Sequence, residues 1–516
     1  MAIIKLNDNK NIIDNISGKQ IGINGIANIV SFSINLLVSF VLTPFLIKTI
    51  GKETYSFYPI ATMFVNYISI VTNALNATGS RFVTINIVKD DKTEANYYYN
   101  SVVISNCLLA GLLALPMLIF TINLSKFLDV PYESVRDIKI LFALVFFATE
   151  VNIIASGFGI STFSKNRIDL RSIREIVVSL VKALLFTVMY TILPTSIIYV
   201  GIVYLISTIL NIAFQVYYTR LLLPEISVSK RFVNISHVKI LFSSSIWNIT
   251  NSFGNYLLAG TTILIANILY GSSASGTISI VNTVPQFING IISVLAGVFY
   301  PVITYKYAMN DKPGLLQQLE KSQIIVGAVC SSIIVCFLLV SHSFFSLWTP
   351  NEDAKELALL SFIAVIPHFV IGTMWSLTNL NVVLDKVKVP AKFTFGVGIV
   401  FIIISIISRY VLNLNYVSLL KANTFLQLLW IGLFIPIYAS KNLTVPVIHF
   451  FKNPIKIILV SFICFFICSQ INRLFDVSGW IILFLVAIID FLVCICMQCF
   501  FCIGINKILA YISTIK

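Results

Sequence analysis

Two stripes of amide and hydroxyl side chains lie within strongly apolar segments of the sequence. In each stripe the polar residues are spaced i, i+4, i+7 and i+11, which puts them on one face of an α-helix. The stripes are Asn24, Asn28, Ser31 and Asn35 near the N-terminus, and Ser244, Asn248, Asn251 and Asn255 near the middle of the chain. Side-chain amides are costly to expose to lipid, so both stripes should face protein or water. They fit either hydrogen bonding between helices or a polar cavity suited to sugar hydroxyls, and their recurrence favours the cavity.

Few ionisable residues lie in or near the apolar segments, and each is a candidate for ligand contact because charge is expensive at bilayer depth. The site candidates among them are the cations Arg81, Arg174, Lys182 and Lys421 and the acid Glu150, while His368, Arg409 and Asp490 are assigned no role. Lys182 or Lys421 in an internal cavity would suit a phosphate group; snorkelling or an ion pair with Glu150 is the alternative. The two arginines, at inner ends of segments, would either meet phosphate at the entry or snorkel. Glu150 fits proton transfer in an ion-coupled cycle or neutralisation by a lysine.

Sequence motifs of enzymes are missing from the chain. It has no phosphate-binding GxxxxGK[ST] loop, no GxSxG and no HExxH, and no long outer loop in which a membrane glycosyltransferase would place catalytic groups. We therefore expect no enzymatic activity and no cofactor or metal, and transport is the class that remains.

The composition indicates a membrane protein. Of 516 residues, 58% are hydrophobic and 11% charged, and the mean hydropathy is +0.94, whereas soluble domains carry about 25% charged residues. We predict about 14 transmembrane helices in an all-α polytopic fold. With the N-terminus inside, Lys and Arg favour the inner loops by about three to one, as the positive-inside rule requires. The net charge of +14 thus reflects orientation and anionic lipid contact, not nucleic acid binding, and both termini should be cytoplasmic.

An internal repeat relates the two polar stripes. Sliding the chain by 220 residues superimposes the first stripe on the second and Gly51 on Gly271. At an offset of 219, FLDVPYE (127–133) falls on SLWTPNE (346–352), and at 221 three basic residues coincide. That last set pairs Lys165, Arg167 and Arg171 with Lys386, Lys388 and Lys392.

The repeat predicts two pseudo-symmetric six-helix lobes, because an offset of six helices preserves topology. We assign residues 1–218 to the N-terminal lobe, 219–238 to a cytoplasmic linker, 239–440 to the C-terminal lobe, and 441–516 to two further helices and a tail. In this arrangement Asn28 and Asn248 should face each other across one cavity.

Two stretches of the sequence resemble a known family. FSSSIWNITNSFGNYLLAGTTILIANILYG (242–271) and FFSLWTPNEDAK (344–355) resemble polysaccharide or O-antigen repeat-unit flippases of Gram-positive capsule clusters. These flippases belong to the multidrug/oligosaccharidyl-lipid/polysaccharide exporter superfamily. The first helix has Asn and Ser where peptidoglycan-precursor flippases have arginines and drug exporters commonly have an acid, which makes lipid II a less suitable substrate.

The resemblance implies a V-shaped pair of lobes around a central cationic cavity in the bacterial cytoplasmic membrane. It implies a flippase that moves undecaprenyl-diphosphate-linked oligosaccharide units to the outer leaflet by alternating access, for capsule, exopolysaccharide or O-antigen assembly. A polysaccharide polymerase and chain-length machinery are its candidate partners, and proton or sodium coupling stays open. A drug/cation antiporter is the first alternative and needs a carboxylate at cavity depth, for which Glu150 alone is suitable. A non-transporting polymerase or assembly factor is the second, and it would need a long outer loop or a soluble domain.

Overall fold

The computed structural model describes residues 10–384 and 386–503, although the side chains of 10–19, 21, 88, 230, 244, 259 and 503 lie outside that description. All regular secondary structure in these residues is helical. Within the same ranges, thirteen helices are long and apolar enough to cross a membrane. The number becomes fourteen if Ser245–Leu258 and Thr262–Tyr270, bent by 44°, form one crossing. The all-α polytopic fold with about 14 transmembrane helices is thereby confirmed.

The chain divides into two compact units, Met1–Ile249 (unit 1) and Thr250–Lys516 (unit 2). The division falls within α10. The helices up to that point are α1 (Lys10–Ile50), α2 (Lys52–Tyr55), α3 (Phe57–Val88), α4 (Lys92–Ile122), α5 (Leu124–Phe127), α6 (Val135–Ala155), α7 (Ile160–Ser164), α8 (Ile168–Ile192), α9 (Ile198–Leu222) and α10 (Ile235–Ala259).

The helices of unit 2 continue the chain and include two π-helical turns. They are α11 (Thr262–Tyr270), α12 (Ser272–Ala308), α13 (Lys312–Trp348), α14 (Ala354–Val383), α15 (Lys388–Tyr410), α16 (Val417–Gln427), α17 (Ile435–Leu443), α18 (Ile448–Asn472) and α19 (Trp480–Gln498). The π-helical turns are Leu428–Phe434, between α16 and α17, and Cys499–Ile503, after α19.

Backbone geometry repeats at the offset found in the sequence. Gly51 and Gly271 both have positive φ, 78° and 92°, a region open to glycine without steric cost, and each ends one long helix and begins the next element. Asp91 and Asp311 both cap the following helix, accepting a hydrogen bond from the backbone N–H three residues later. The residue before each cap is left-handed in both units. The 220-residue repeat therefore extends to the turns.

One sequence pairing at a neighbouring offset is wrong. The backbone N–H of Arg167 donates to Thr162 O (2.7 Å), and that of Lys386 donates to Asn381 O (2.8 Å). This shared turn pairs Arg167 with Lys386 at an offset of 219, not 221. The coincidence of three basic residues misled the alignment because positive charge is enriched in every loop on one side of the membrane.

Each unit has its own hydrophobic core. In unit 1 the residues Leu75, Val83, Tyr99, Val102, Ile160 and Leu241 form one buried cluster. In unit 2 the cluster of Val335, Val460, Cys464, Cys468 and Cys494 joins α13 to α18 and α19. All nine cysteines are free.

Candidate functional site

The candidate site is the contact between α1 and α8 in unit 1. Because Asn24 and Ser31 on α1 meet Asn166, Asp169 and Glu175 in the same order along both helices, α1 and α8 run parallel. The polar stripe of α1 thus lies along the charged face of α8.

Asn24 fastens the beginning of α8. Its Nδ2 donates to the backbone O and to Oδ1 of Asn166, both at 3.0 Å, and its Oδ1 accepts from the backbone N–H of Asp169 at 3.0 Å. Gln20 Nε2 donates to the same Oδ1 at 3.1 Å. The first N–H groups of a helix lack partners within it, so Asn24 satisfies one of them from another helix. Its amide is buried, and both its N–H groups and its oxygen have hydrogen-bond partners. Of the two roles that the sequence allowed, Asn24 therefore has hydrogen bonding between helices.

An ion pair closes this end of the contact. Arg167 donates to both carboxylate oxygens of Asp169, with Nε–Oδ1 and Nη2–Oδ2 distances of 2.9 Å. These hydrogen bonds raise the pKa of Arg167 above its ordinary value. Gln20 Nε2 also donates to Asp169 Oδ1 at 3.0 Å. The carboxylate is therefore neutralised within unit 1.

Further along, Ser31 contacts a second ion pair. Ser31 Oγ donates to Glu175 Oε2 at 3.2 Å, and Arg171 Nε donates to Glu175 Oε1 at 2.8 Å. Asn35 Nδ2 donates back to the Ser31 carbonyl at 2.8 Å. Asn28 is exposed, and its amide forms no hydrogen bond with any residue that the structure describes. Asn28 is thus the one member of this stripe that is exposed and whose amide makes no hydrogen bond with a described residue.

Arg174 and Lys182 are the cations of α8 without a carboxylate partner among the described residues. Arg174 is buried, and its Nε has no hydrogen-bond partner in the same part of the chain. Lys182 is half-buried; its Nζ donates to Tyr58 Oη at 2.8 Å and lies 5.4 Å from the Tyr58 ring and 5.9 Å from the Phe186 ring. A neutral phenol leaves the ammonium charge uncompensated. No acid among the described residues therefore pairs with Lys182.

Glu150 does not neutralise Lys182. Its Oε1 is buried and has no hydrogen bond in the described part of the chain, and no ion pair joins the two side chains there. The sequence alternative of a Lys182–Glu150 pair is not realised.

The second stripe repeats a hydrogen bond of the first between an asparagine side chain and the backbone, but the residue that it meets on the neighbouring helix is neutral. Asn255 Nδ2 donates to the Asn251 carbonyl at 3.1 Å, as Asn35 does to Ser31. Asn251 Oδ1 accepts from Thr394 Oγ1 on α15 at 3.5 Å. Asn248 is exposed, and the Ser244 side chain lies outside the described residues.

The remaining predicted cations lie away from the α1–α8 contact. Arg81 is exposed on α3, and its guanidinium carbon lies 5.2 Å from the Phe82 ring centroid. Lys421 is exposed on α16 in unit 2 and forms no ion pair with a described residue. Arg174 and Lys182 thus lie on the helix that packs against α1, whereas Arg81 lies on α3.

Sequence reasoning missed two parts of this region. Arg171, Glu175 and Lys182 follow the spacing i, i+4 and i+11 on α8, a helical signal that the search for isolated charges overlooked. Asn96 and Asn100 on α4 were also missed; they are buried and bind the linker after α9. Within the described residues, no group of three His, Cys, Asp or Glu side chains is placed to hold a metal ion.

Together these groups form a charged column about 16 Å long, from Arg171 to Lys182, at 1.5 Å of helix rise per residue. The Arg171–Glu175 pair lies at one end of the column with Arg174 beside it, and Lys182 lies at the other end. Such a column can stabilise an anion at several depths while the amide stripe beside it offers hydrogen bonds.

Comparisons with known proteins place this chain in a family. The polysaccharide biosynthesis protein family matches residues 21–305, more than half of the chain. The uncharacterized membrane protein EpsK of Bacillus subtilis (strain 168) is 23% identical over 469 residues, which cover 89% of this chain and 90% of that protein.

Solved structures show the same fold at low sequence identity. The lipid II flippase MurJ in an inward closed conformation superimposes with a TM-score of 0.65 at 15% identity, covering 91% of this chain and 97% of MurJ. An inward-facing multidrug resistance MATE family transporter of the MOP superfamily superimposes with a TM-score of 0.62 at 12% identity, covering 81% and 98%. The sequence resemblance is confirmed: this multi-pass membrane protein has the fold of MOP-superfamily transporters and flippases, and it belongs to the polysaccharide biosynthesis protein family.

Proposed function

We propose that the protein is a flippase that carries undecaprenyl-diphosphate-linked oligosaccharide units from the inner to the outer leaflet of the bacterial cytoplasmic membrane. The observation that carries this proposal is the column on α8, where Arg174 and Lys182 lack carboxylate partners beside a polar helix face. A polysaccharide biosynthesis protein of MOP fold needs such a site if its cargo is a lipid-linked glycan. Alternating access would expose the column to one side of the membrane at a time.

The diphosphate explains why cations are retained at bilayer depth. An isolated anion in a medium of low dielectric constant is strongly disfavoured, so a translocated diphosphate needs compensating charge along its path. Lys182 offers a compact ammonium whose described hydrogen-bond partner, the Tyr58 hydroxyl, is neutral. Arg171 shares its charge with Glu175 and would serve only when that pair opens. We therefore assign the main diphosphate contact to Lys182 and a supporting one to Arg174.

The glycan would contact the amides that the fold leaves available. Asn28 and Asn248 are exposed, and an amide offers both a donor and an acceptor to sugar hydroxyls. Asn24 is occupied in fastening α8 and is assigned a structural role.

The cation antiporter is the second candidate, and one observation favours it. Glu150 has a buried oxygen without a partner among the described residues, as a proton or sodium site would. A single acid outside the α1–α8 contact is weaker support than the cationic column, because a cavity for organic cations should not be lined by lysine and arginine. In the flippase, Glu150 is instead a candidate for coupling transport to protons or sodium.

Ligand binding distinguishes the two candidates. Full-length protein in nanodiscs would be titrated with a short-chain diphosphate-linked glycan and with an amphipathic cation such as rhodamine 6G. We expect saturable binding of the diphosphate and about tenfold weaker binding for Lys182→Ala, with Lys139→Ala, a lysine that donates to Ile122 O instead, as the matched control. Binding of the cation alone, lost in Glu150→Gln, would establish the antiporter.

The orientation and partners complete the proposal. Both termini and the 219–238 linker are assigned to the cytoplasm, where the polyprenyl diphosphate substrate is made, with a polymerase and chain-length machinery acting on the outer product. Val228 is exposed in the linker, so Val228→Cys on a Cys-free background should react with impermeant maleimide only from the cytoplasmic side. Labelling from outside would reverse the orientation.

A further inference from the structure

A cavity of about 320 Å³ opens at one end of unit 2, where α12, α14 and α17 end and α13 begins. Its charged and polar lining includes Lys306, Asp311, Lys312, Lys386, Asn442 and Thr444. Small-ligand pockets begin at about 300 Å³, so the cavity is large enough for one small headgroup. It lies at the ends of helices long and apolar enough to cross a membrane, and none of its lining residues belongs to the α1–α8 contact.

The described lining carries three ammonium groups and one carboxylate. Lys306 Nζ donates to Asp311 Oδ2 at 2.8 Å, and Gly314 N–H donates to Asp311 Oδ1 at 2.9 Å. These two hydrogen bonds hold the pKa of Asp311 below its ordinary value, so this acid is ionised and neutralises one lysine. Two positive charges remain.

The other two lysines have no acid in the described residues. Lys312 Nζ donates to the neutral Thr444 Oγ1 at 2.8 Å, and Lys386 forms no ion pair in the described ranges. Asp385, next to Lys386, lies outside them. Lys312 is also the first residue of α13, where the positive end of the helix dipole disfavours a cation. A lysine held there by a neutral hydroxyl is available to an anion in the cavity.

The same turn in unit 1 is neutralised by its own residues. Asp90 and Asn310 share the left-handed conformation, with φ of 59° and 55°, and each is followed two residues later by the lysine that begins α4 or α13. In unit 1, Lys92 Nζ lies 3.9 Å from Asp90 Oδ1. Unit 2 has Asn310 where unit 1 has Asp90, so Lys312 lacks the carboxylate that pairs with Lys92.

The linker of unit 1 covers the corresponding groove. Asn96 Nδ2 donates to Glu225 O at 3.2 Å, Asn100 Nδ2 donates to Ser227 O at 2.8 Å, and the Glu225 carboxylate pairs with Lys165 at 3.4 Å. In unit 2 the chain after α17 reads TVPVI over 444–448 and brings no carboxylate. A neutralised, covered groove in one repeat thus corresponds to an open, basic cavity in the other.

We propose that this cavity binds the phosphate group of an anionic ligand, with Lys306, Lys312 and Lys386 as its cations and Thr444 positioning Lys312. The phosphate belongs either to an anionic phospholipid of the adjoining leaflet or to a soluble phosphate compound, and the chemistry at the lysines is the same. Asp311 competes with the ligand for Lys306.

Thermal unfolding of the purified full-length protein in detergent tests the proposal. Wild type would be titrated with short-chain phosphatidylglycerol and, separately, with pyrophosphate. We expect a saturable rise in Tm with at least one of them, and at least tenfold weaker apparent affinity for Lys312→Gln/Lys386→Gln. The matched control is Lys452→Gln/Lys456→Gln, an equal charge change at exposed positions outside the cavity, which should bind as wild type does.

Two further results make the outcome decisive. Asp311→Asn keeps a capping side chain but frees Lys306, so it should tighten binding, a gain that a merely destabilised protein would not give. A response to phosphatidylglycerol alone identifies a lipid headgroup, and a response to pyrophosphate identifies a soluble ligand. The proposal is overturned if neither ligand gives a saturable shift, or if the cavity and control variants weaken binding equally.

Discussion

The α1–α8 contact in unit 1 and the α10–α15 contact in unit 2 join corresponding helices of the repeat. The first contact includes charged side chains, and the second joins neutral ones. Ser31 meets Glu175 across the first, and Asn251 meets Thr394 across the second. At the offset of 219 residues that pairs these partners, Arg171, Arg174, Glu175 and Lys182 of α8 correspond to Pro390, Phe393, Thr394 and Phe401 of α15. Pairing of these helices thus does not require charge, and the charged residues of α8 fit the anionic ligand proposed above.

At the turns before α4 and α13 the contrast is reversed, because here unit 2 has the unpaired cations. Unit 1 neutralises its turn with Asp90 and covers it with a linker held by Asn96 and Asn100. Unit 2 leaves a basic cavity beside Lys312. The two repeats therefore share one scaffold but place their unpaired cations at different positions along it.

The largest expected effect comes from the closest approach in the second contact. A Cβ at Gly254 would lie 2.6 Å from Phe395 N and 2.7 Å from Thr394 C, and backbone atoms cannot move aside as side chains do. Gly254→Ala should cost about 1–3 kcal/mol or more and lower the Tm and the monodisperse yield in size-exclusion chromatography. Gly297→Ala, with open space around its Cβ, is the control and should behave as wild type. Equal stability of both variants would show that α10 and α15 are not packed this closely.

The second effect concerns transport. Lys182→Ala should reduce complementation of a flippase-deficient strain about tenfold at equal expression, because the column loses its uncompensated ammonium; one lost charge contact of about 1.4 kcal/mol corresponds to that factor. Lys182→Arg should retain part of the activity. Lys421→Ala should have a smaller effect, because Lys421 is exposed on α16 and lies outside the α1–α8 contact. Normal transport by Lys182→Ala, Lys421→Ala and their double variant would move the diphosphate site to Arg174 or Arg81.

A third prediction separates two members of one stripe. Asn24→Leu removes the partners of Asn166 and of the Asp169 N–H, so it should lower stability by about 1–3 kcal/mol, measured as Tm. Asn28→Leu and Asn248→Leu should instead impair transport while leaving the folded yield nearly intact. If Asn24→Leu leaves the Tm unchanged, or if both exposed variants transport fully, this division of roles is wrong.

The features that the sequence predicted well depend on local physics. Apolar length sets the crossings, and Gly51, Gly271, Asp91 and Asp311 set turns through their own conformations and caps. These features need no knowledge of distant neighbours, so the helical fold and the repeat could be predicted from the residues.

The partner of each polar side chain could not be predicted in the same way. A helical stripe indicates a face but not the helix that meets it, so Asn24 and Asn28 had equal standing until α8 was seen to bind one and not the other. Lys182 likewise had Glu150 as the evident partner, whereas the fold supplies Tyr58. The cavity beside Lys312 could not be predicted because the ends of α14 and α17, distant in sequence, complete it beside the turn between α12 and α13.

The smallest expected effect tests the covered groove of unit 1. Asn100 is buried and holds the linker with two hydrogen bonds, Nδ2 to Ser227 O and Ser229 N–H to Oδ1, both 2.8 Å. Asn100→Leu leaves both backbone groups without partners, at a cost of about 1–3 kcal/mol that falls mainly on the linker. Trypsin cleavage after the exposed Arg231 should then become about tenfold faster, while the global Tm changes little, because release of the segment is a local opening that leaves the helices packed.

The control for the linker is an asparagine that bonds only within its own helix end. Asn123 Nδ2 donates to Ile119 O at 3.0 Å, and the residue is half-buried away from the linker contacts, so Asn123→Leu should leave cleavage at Arg231 unchanged. A release of the linker would also withdraw Glu225 from Lys165 and give unit 1 an open basic groove like that of unit 2. Cleavage at the wild-type rate in Asn100→Leu would mean that contacts other than the Asn100 amide hold the linker, and the contrast between the two grooves would then rest on charge alone.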